Sequence, residues 1–355
     1  MIPVLLLVAG LVLLVGGAEL LVRGASRLAA ALGIAPLVIG LTVVAYGTSA
    51  PELAVSATAA LTGQGDIAIG NVVGSNIFNV LFILGVAAAV TPLVVSARLV
   101  RFDVPIMIGT SIVLMIMALD GRVSVLDGVL LVLGAIAYTA WLLVQSRREH
   151  VAAREPGGVH ERVPWIGSVA MAGTGLALLV LGARWMVDGA VVIARQAGLS
   201  ELVIGLTIVA AGTSLPELAT SVLASVRGER DIAVGNIVGS NIFNVLMILG
   251  VTGLIGGGID VPPAARNFDI PVMIAVVLAC LPVFFTGAMI GRWEGLVFLL
   301  YYGAYVLYLV LQSTQHDALP AFSAVMLQFA LPITFLTLGL LAWRWARRPR
   351  PPATR

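Results

Sequence analysis

Apolar runs about 20 residues long recur from the start of this chain to about residue 343, each long enough to cross the hydrocarbon core of a bilayer as a helix. Polarity does not alternate along them as it would in barrel strands, so helices are the natural reading. Ten segments fall into two groups of five. They lie at about 3 to 22, 35 to 62, 67 to 91, 102 to 119 and 125 to 145, then 165 to 187, 200 to 226, 232 to 255, 268 to 288 and 294 to 312. An eleventh, about 321 to 343, follows without a counterpart in the first group. The opening run has no basic stretch before it and reads as a first transmembrane helix, not a cleaved signal.

The two groups are copies of one unit. Residues 40 to 85 laid over 205 to 250 give 32 identities in 46 positions, and the likeness extends to Gly24-Ala25 with Gly189-Ala190 and Phe102-Asp103 with Phe268-Asp269. Five crossings is an odd number, so the second copy begins on the opposite face and the copies form an inverted repeat. The expected fold is an all-α membrane protein with two inverted repeats of five transmembrane helices, a ten-helix core, plus an additional C-terminal transmembrane helix. Residues 1–146 are then the first repeat, 147–164 a cytoplasmic linker, 165–313 the second repeat, and 314–355 the extra helix with an Arg-rich cytoplasmic tail.

Composition agrees with lipid as the solvent: 60% of the residues are hydrophobic, 11% are charged and the mean hydropathy is +1.07. Arginine placement supplies orientation. One face holds Arg23, Arg27, Arg98, Arg101, Arg147, Arg148, Arg154, Arg162, Arg227, Arg230, Arg292 and the arginines after residue 343, while the other holds Arg122, Arg195 and Arg266. The positive-inside rule makes the rich face cytoplasmic, with the N-terminus outside and the C-terminus inside a cell (inner) membrane. With one cysteine, Cys280, and histidines only at 150, 160 and 316, neither a disulfide nor a zinc site is expected. No nucleic-acid partner is expected either, and the oligomeric state stays open, a monomer being compatible.

Chemistry concentrates where the second segment of each group is interrupted, by Gly47-Thr48-Ser49-Ala50-Pro51-Glu52 and by Gly212-Thr213-Ser214-Leu215-Pro216-Glu217. Pro51 and Pro216 cannot bond the carbonyls of Gly47 and Gly212, so those oxygens become available. Broken helices at membrane depth commonly mark an ion site. Glu52 and Glu217 fall near the bilayer midplane, where an acidic group costs on the order of 2.5 to 3.5 kcal/mol and requires a cation or a proton. Thr48 and Ser49 precede Glu52 by four and three residues and would share its helix face, as Thr213 and Ser214 would for Glu217.

The third segment of each group carries Gly70-Asn71-Val72-Val73-Gly74-Ser75-Asn76-Ile77-Phe78-Asn79, repeated at 235 to 244 with only Ile237 changed. Ser75 with Asn79, and Ser240 with Asn244, share a face. Interhelical hydrogen bonding is the competing reading for these four, and for Asn71, Asn76, Asn236 and Asn241 it is the favoured one. The pooled groups make an all-oxygen site suited to Ca²⁺, which accepts six to eight oxygens in flexible geometry. Two carboxylates balance one divalent ion, and Na⁺ or H⁺ could balance the same pair, which is the physical basis of antiport. A cation channel, or an intramembrane hydrolase using the two glutamates, is the rival from another class. The hydrolase lacks a His partner for Ser49.

These motifs, each present twice, resemble those of the calcium/cation antiporter superfamily and most closely its prokaryotic sodium/calcium exchangers, over about residues 1 to 313. The resemblance implies a secondary active antiporter that exchanges Ca²⁺ for Na⁺, or for H⁺, by alternating access, with no cofactor. It implies side-chain ligands Thr48, Ser49, Glu52, Ser75, Asn79, Thr213, Ser214, Glu217, Ser240 and Asn244, with the carbonyls of Ala45 and Ala210. Well-understood sodium/calcium members have an acidic residue at the position of Asn244, so this site would carry two formal negative charges. Elsewhere, inverted symmetry keeps Glu19 and Arg184 on opposite faces, and Asp103 and Asp269 read as helix caps.

Overall fold

The computed structural model describes residues 2–152, 165–196, 210–285, 289–334, 336–337 and 339. The apolar runs become helices α1 (Ile2–Leu32), α2 (Pro36–Thr48), α3 (Ala50–Leu61), α4 (Gly65–Val90), α5 (Leu99–Asp120) and α6 (Val125–Ala152). The second half gives α7 (Trp165–Gln196), α8 (Leu215–Val226), α9 (Arg230–Ile255), α10 (Ala265–Phe284) and α11 (Arg292–Ser313), followed by α12 (Leu319–Thr334). Among the described residues, eight helices are long and apolar enough to span a membrane, and α2 with α3 makes a ninth span bent by 46°. Most of the linker, the first part of the second broken segment and the end of the eleventh segment lie outside the described residues.

α1 runs about ten residues past the apolar stretch that marks it. Arg23 and Arg27 end the continuous apolar run, yet Gly24, Ala25, Leu28 and Ala29 stay buried. The helix simply turns amphipathic where it leaves the lipid. Its charged side is tied to the neighbouring loop: Glu19 pairs with Arg23 and, at 2.5 Å, with Arg227, and the Ser26 hydroxyl donates to Glu229 at 2.9 Å. Glu19 thus finds its cations on one face and not in Arg184.

The inverted relation is visible in which elements touch. α1 and α7 occupy corresponding places in the two copies and pack antiparallel, with Gly10 against Gly182 and Gly17 against Gly175. Here the absence of a Cβ is required, because one built on Gly17 would lie 2.7 Å from the Gly175 carbonyl oxygen. α4 meets α11 at Gly85 and Gly295, while α9 meets α6 at Gly250 and Gly128, the same contact with the copies exchanged. Two short ribbons repeat the exchange at the ends of the bundle. Strand β1 (Leu93–Val94) pairs antiparallel with β4 (Met289–Ile290), and β2 (Arg122–Val123) with β3 (Ile259–Asp260).

Asp103 and Asp269 do not act as helix caps. Each precedes the proline without ending the helix, which continues through it in a widened π turn, Leu99–Asp103 and Ala265–Asp269. With the local amides engaged in that turn, the carboxylates reach sideways and accept the hydroxyls of Tyr138 (2.9 Å) and Tyr305 (3.0 Å) on the following helices. The same tie appears once per copy.

Candidate ion site

The site forms where the breaks of the two copies face one another between α4 and α9. In the first break Ser49 leaves the helical region, at φ −82° and ψ 9°, and Ser214 does the same in the second, at φ −91° and ψ 9°. Pro51 and Pro216 then stand in the first turn of α3 and α8, where a missing N–H costs nothing. Glu52 and Glu217 sit in those first turns with positive helix ends behind them, a favourable place for negative charge.

The serines differ from the sequence expectation in a way that follows from the break. Helical register does not carry across a residue at ψ near zero, so Ser49 and Glu52 do not share a face. Ser49 Oγ instead donates to Glu217 Oε1 at 2.8 Å, and Ser214 Oγ donates to Glu52 Oε1 at 2.7 Å. Each carboxylate is held by a hydroxyl from the other copy. Thr48 likewise turns from Glu52 and bonds Asn236 Oδ1 at 3.1 Å, while Thr213 Oγ1 is buried with no hydrogen bond. Glu52 and Glu217 are each 1% exposed.

The asparagines of α4 and α9 complete the walls. Asn71 Nδ2 bonds the Glu52 carbonyl (3.0 Å) and Ser56 Oγ (2.8 Å), and Asn236 Nδ2 bonds the Glu217 carbonyl (3.4 Å) and Ser221 Oγ (2.9 Å). These bonds fasten each glutamate-bearing helix to its own copy's third segment. Across the pseudo-two-fold axis, Asn79 Nδ2 bonds Asn241 Oδ1 and Asn244 Nδ2 bonds Asn76 Oδ1, both at 3.0 Å. Asn79 and Asn244 each open a π turn, Asn79–Ile83 and Asn244–Leu249, the kind of local widening that often marks functional positions.

What remains is a set of buried oxygens with no hydrogen bond, among them Glu52 Oε2, Glu217 Oε2, Asn79 Oδ1 and Asn244 Oδ1 in symmetric pairs, and Ser240 Oγ. Ser75 is in the wall, 3.4 Å from Ser214. The Ala45 carbonyl already accepts the Ser49 N–H at 3.0 Å and lies 3.4 Å from the Thr48 hydroxyl, and Ala210 opens the short turn Ala210–Gly212 that leads to Thr213. Sequence spacing missed Ser56 and Ser221, although both recur at the repeat offset. The interhelical hydrogen bonding favoured for Asn76 and Asn241 is what joins them to Asn244 and Asn79. Among the described residues no three of His, Cys, Asp and Glu gather together, so the donor set is hydroxyl, amide and two carboxylates.

Comparison with known proteins gives a consistent picture. The family model described as sodium/calcium exchanger protein matches residues 2–144 and 167–311. Inner membrane protein YrbG of Escherichia coli is 39% identical over 262 residues, covering 70% of this chain and 79% of its own. Sodium/calcium exchanger MaX1 of Methanosarcina acetivorans is 36% identical over 342 residues, 86% of this chain and 97% of its own. A solved structure of the sodium-calcium exchanger NCX_Mj, soaked with zero Na⁺ and Ca²⁺, superposes with a TM-score of 0.75 at 33% identity, covering 87% of this chain and 99% of that one.

Proposed function

The chain belongs to the sodium/calcium exchanger protein family, and from that premise we propose that Glu52 and Glu217 are the central ligands of its transported cation. It is a multi-pass membrane protein of two inverted five-helix repeats and a secondary active Na⁺/Ca²⁺ antiporter, not an enzyme; the ions are cargo and no cofactor is required. The proposed ligand set adds Thr48, Ser49, Ser75, Asn79, Thr213, Ser214, Ser240 and Asn244, with the carbonyls of Ala45 and Ala210.

The observation that supports this assignment is the four symmetric acceptors, Glu52 Oε2, Glu217 Oε2, Asn79 Oδ1 and Asn244 Oδ1, buried without donors. An unpaired buried acceptor is costly, and a charged one far more so, unless a cation completes it. Oxygen ligands in flexible geometry suit Ca²⁺ better than Mg²⁺, which holds its water and demands an octahedron. Two carboxylates balance one Ca²⁺. Na⁺ draws on the same oxygens, so occupancy by one excludes the other, and a site closed to solvent passes only one kind of cargo at a time. That exclusion couples the two fluxes.

Arginine distribution supports an N-terminus outside and a C-terminus in the cytoplasm, and the kinship with an inner membrane protein supports residence in that membrane. The test is Ca²⁺ uptake by purified protein in proteoliposomes under separate Na⁺, Li⁺ and pH gradients. Uptake is expected to follow the Na⁺ gradient and to vanish in Glu52→Gln and in Glu217→Gln. Uptake that ignores Na⁺ and follows pH overturns sodium coupling, and wild-type uptake in either glutamine variant overturns the ligand assignment.

A further inference from the structure

We propose that Asn76 and Asn241 are positioning residues that hold Asn79 and Asn244 with their oxygens toward the cation, so that they set Ca²⁺ affinity without touching the ion. The inference rests on the ion-site reading above. It begins from the fact that a primary amide has two unlike ends. Its oxygen attracts a cation and its NH₂ repels one, so rotating the amide by half a turn converts a ligand into a barrier.

The orientation follows from the bonds themselves. Asn76 Nδ2 reaches the backbone carbonyl of Asn241 at 3.2 Å, and Asn241 Nδ2 reaches that of Asn76 at 3.4 Å. Each amide nitrogen also lies 3.6 Å from a methionine sulfur, Met273 for Asn76 and Met107 for Asn241. A carbonyl oxygen and a thioether sulfur can only accept, so neither amide can be reversed without placing oxygen against acceptors. Their Oδ1 atoms therefore point the other way and are acceptors too. Opposite them stand Asn244 and Asn79, which must present Nδ2, at 3.0 Å in both cases. The oxygens of Asn79 and Asn244 are left facing away from the ring, buried and unpartnered.

The chain of constraint thus runs from two backbone carbonyls, through Asn76 and Asn241, to two free oxygens. It is closed across the pseudo-two-fold axis, each copy orienting the other's amide, so the ion site needs both copies for orientation as well as for ligand count. All four asparagines are 1% exposed or less, so water is no substitute partner. Outer-sphere partners of this kind typically change metal affinity about 10- to 100-fold when removed.

The test uses Asn76→Leu and Asn241→Leu in the full-length protein, reconstituted in proteoliposomes, with the Ca²⁺ KM and the maximal rate read separately. The Ca²⁺ KM is expected to rise at least about tenfold while the rate at saturating Ca²⁺ stays within a few-fold. Coupling supplies the second readout: in an Asn244→Ala background, Asn76→Leu is expected to add nothing to the KM. Where a leucine variant does not yield folded protein, Asn76→Ser and Asn241→Ser serve, since the shorter hydroxyl cannot reach the partner amide. An unchanged KM in a folded variant overturns the inference, as does a KM effect that adds in full to that of Asn244→Ala. If Glu52→Gln and Glu217→Gln abolish uptake while these variants leave the KM alone, only the positioning role fails. If the glutamine variants transport normally, the ion-site reading itself fails.

Discussion

Ser49 and Ser214 do at the scale of single atoms what the repeat does for the whole chain: each serves the other copy's carboxylate. Because Glu52 and Glu217 are 1% exposed, no water replaces a lost hydroxyl. A hydrogen bond to a charged group contributes about 1.5 to 3 kcal/mol, so Ser214→Ala is expected to weaken Ca²⁺ binding by roughly tenfold or more, with Ser49→Ala moving it in the same direction. Calorimetric titration of the purified variants with Ca²⁺ checks both, and unchanged affinity in either removes that serine from the site. The glutamates were legible in the sequence because a carboxylate at the midplane, beside a proline and present twice, is too costly there without a cation or a proton to balance it. The crossed partners were not legible. Spacing along one chain places Ser49 next to Glu52, and only the break in helical register at Ser49 sends its hydroxyl to Glu217.

Among the elements, α1 and α7 show how tightly the copies are joined. Their contact is backbone on backbone: a Cβ added at Gly175 would lie 2.5 Å from the Leu21 nitrogen and 2.6 Å from the Gly17 carbonyl oxygen, whereas one added at Gly173 would meet nothing within 4 Å. Backbone cannot move aside as a flexible side chain can, and overpacking typically costs about 1 to 3 kcal/mol. Gly175→Val is therefore expected to lower the thermal midpoint in detergent by several degrees, with Gly173→Val close to the unaltered protein. Equal midpoints would show that the helices separate freely at that point. Apolar length could place the helices, although α1, α6 and α7 run about seven to ten residues beyond it. What length could not give is which glycines face a partner, since periodic glycines look alike on a lipid face and on a packed one. Nor could it give the π turns at Asn79 and Asn244.

For the molecule as a whole, the inverted repeat makes a prediction that no single copy could. The turn that contains Gln64 and the turn that leads into Arg230 occupy corresponding places in the two repeats, and both residues are exposed. If the copies were related by a simple translation of the topology, both turns would face one compartment. Inversion puts them on opposite faces, and the ribbons agree, because β2 pairs with β3 near the Gln64 end and β1 with β4 at the other. In the proposed orientation the arginine-rich face is cytoplasmic, so the turn that Arg227 and Arg230 flank is the inner one and the turn that no basic residue flanks is the outer one. With the buried Cys280 replaced by Ala, a membrane-impermeant maleimide added to intact cells is expected to label Gln64→Cys and to leave Arg230→Cys unlabelled until the membrane is opened. The reverse pattern would keep the fold and turn the protein over. Labelling of both from outside would contradict the inversion itself, and with it the meeting of Glu52 and Glu217 in the one closed site proposed to hold the cation.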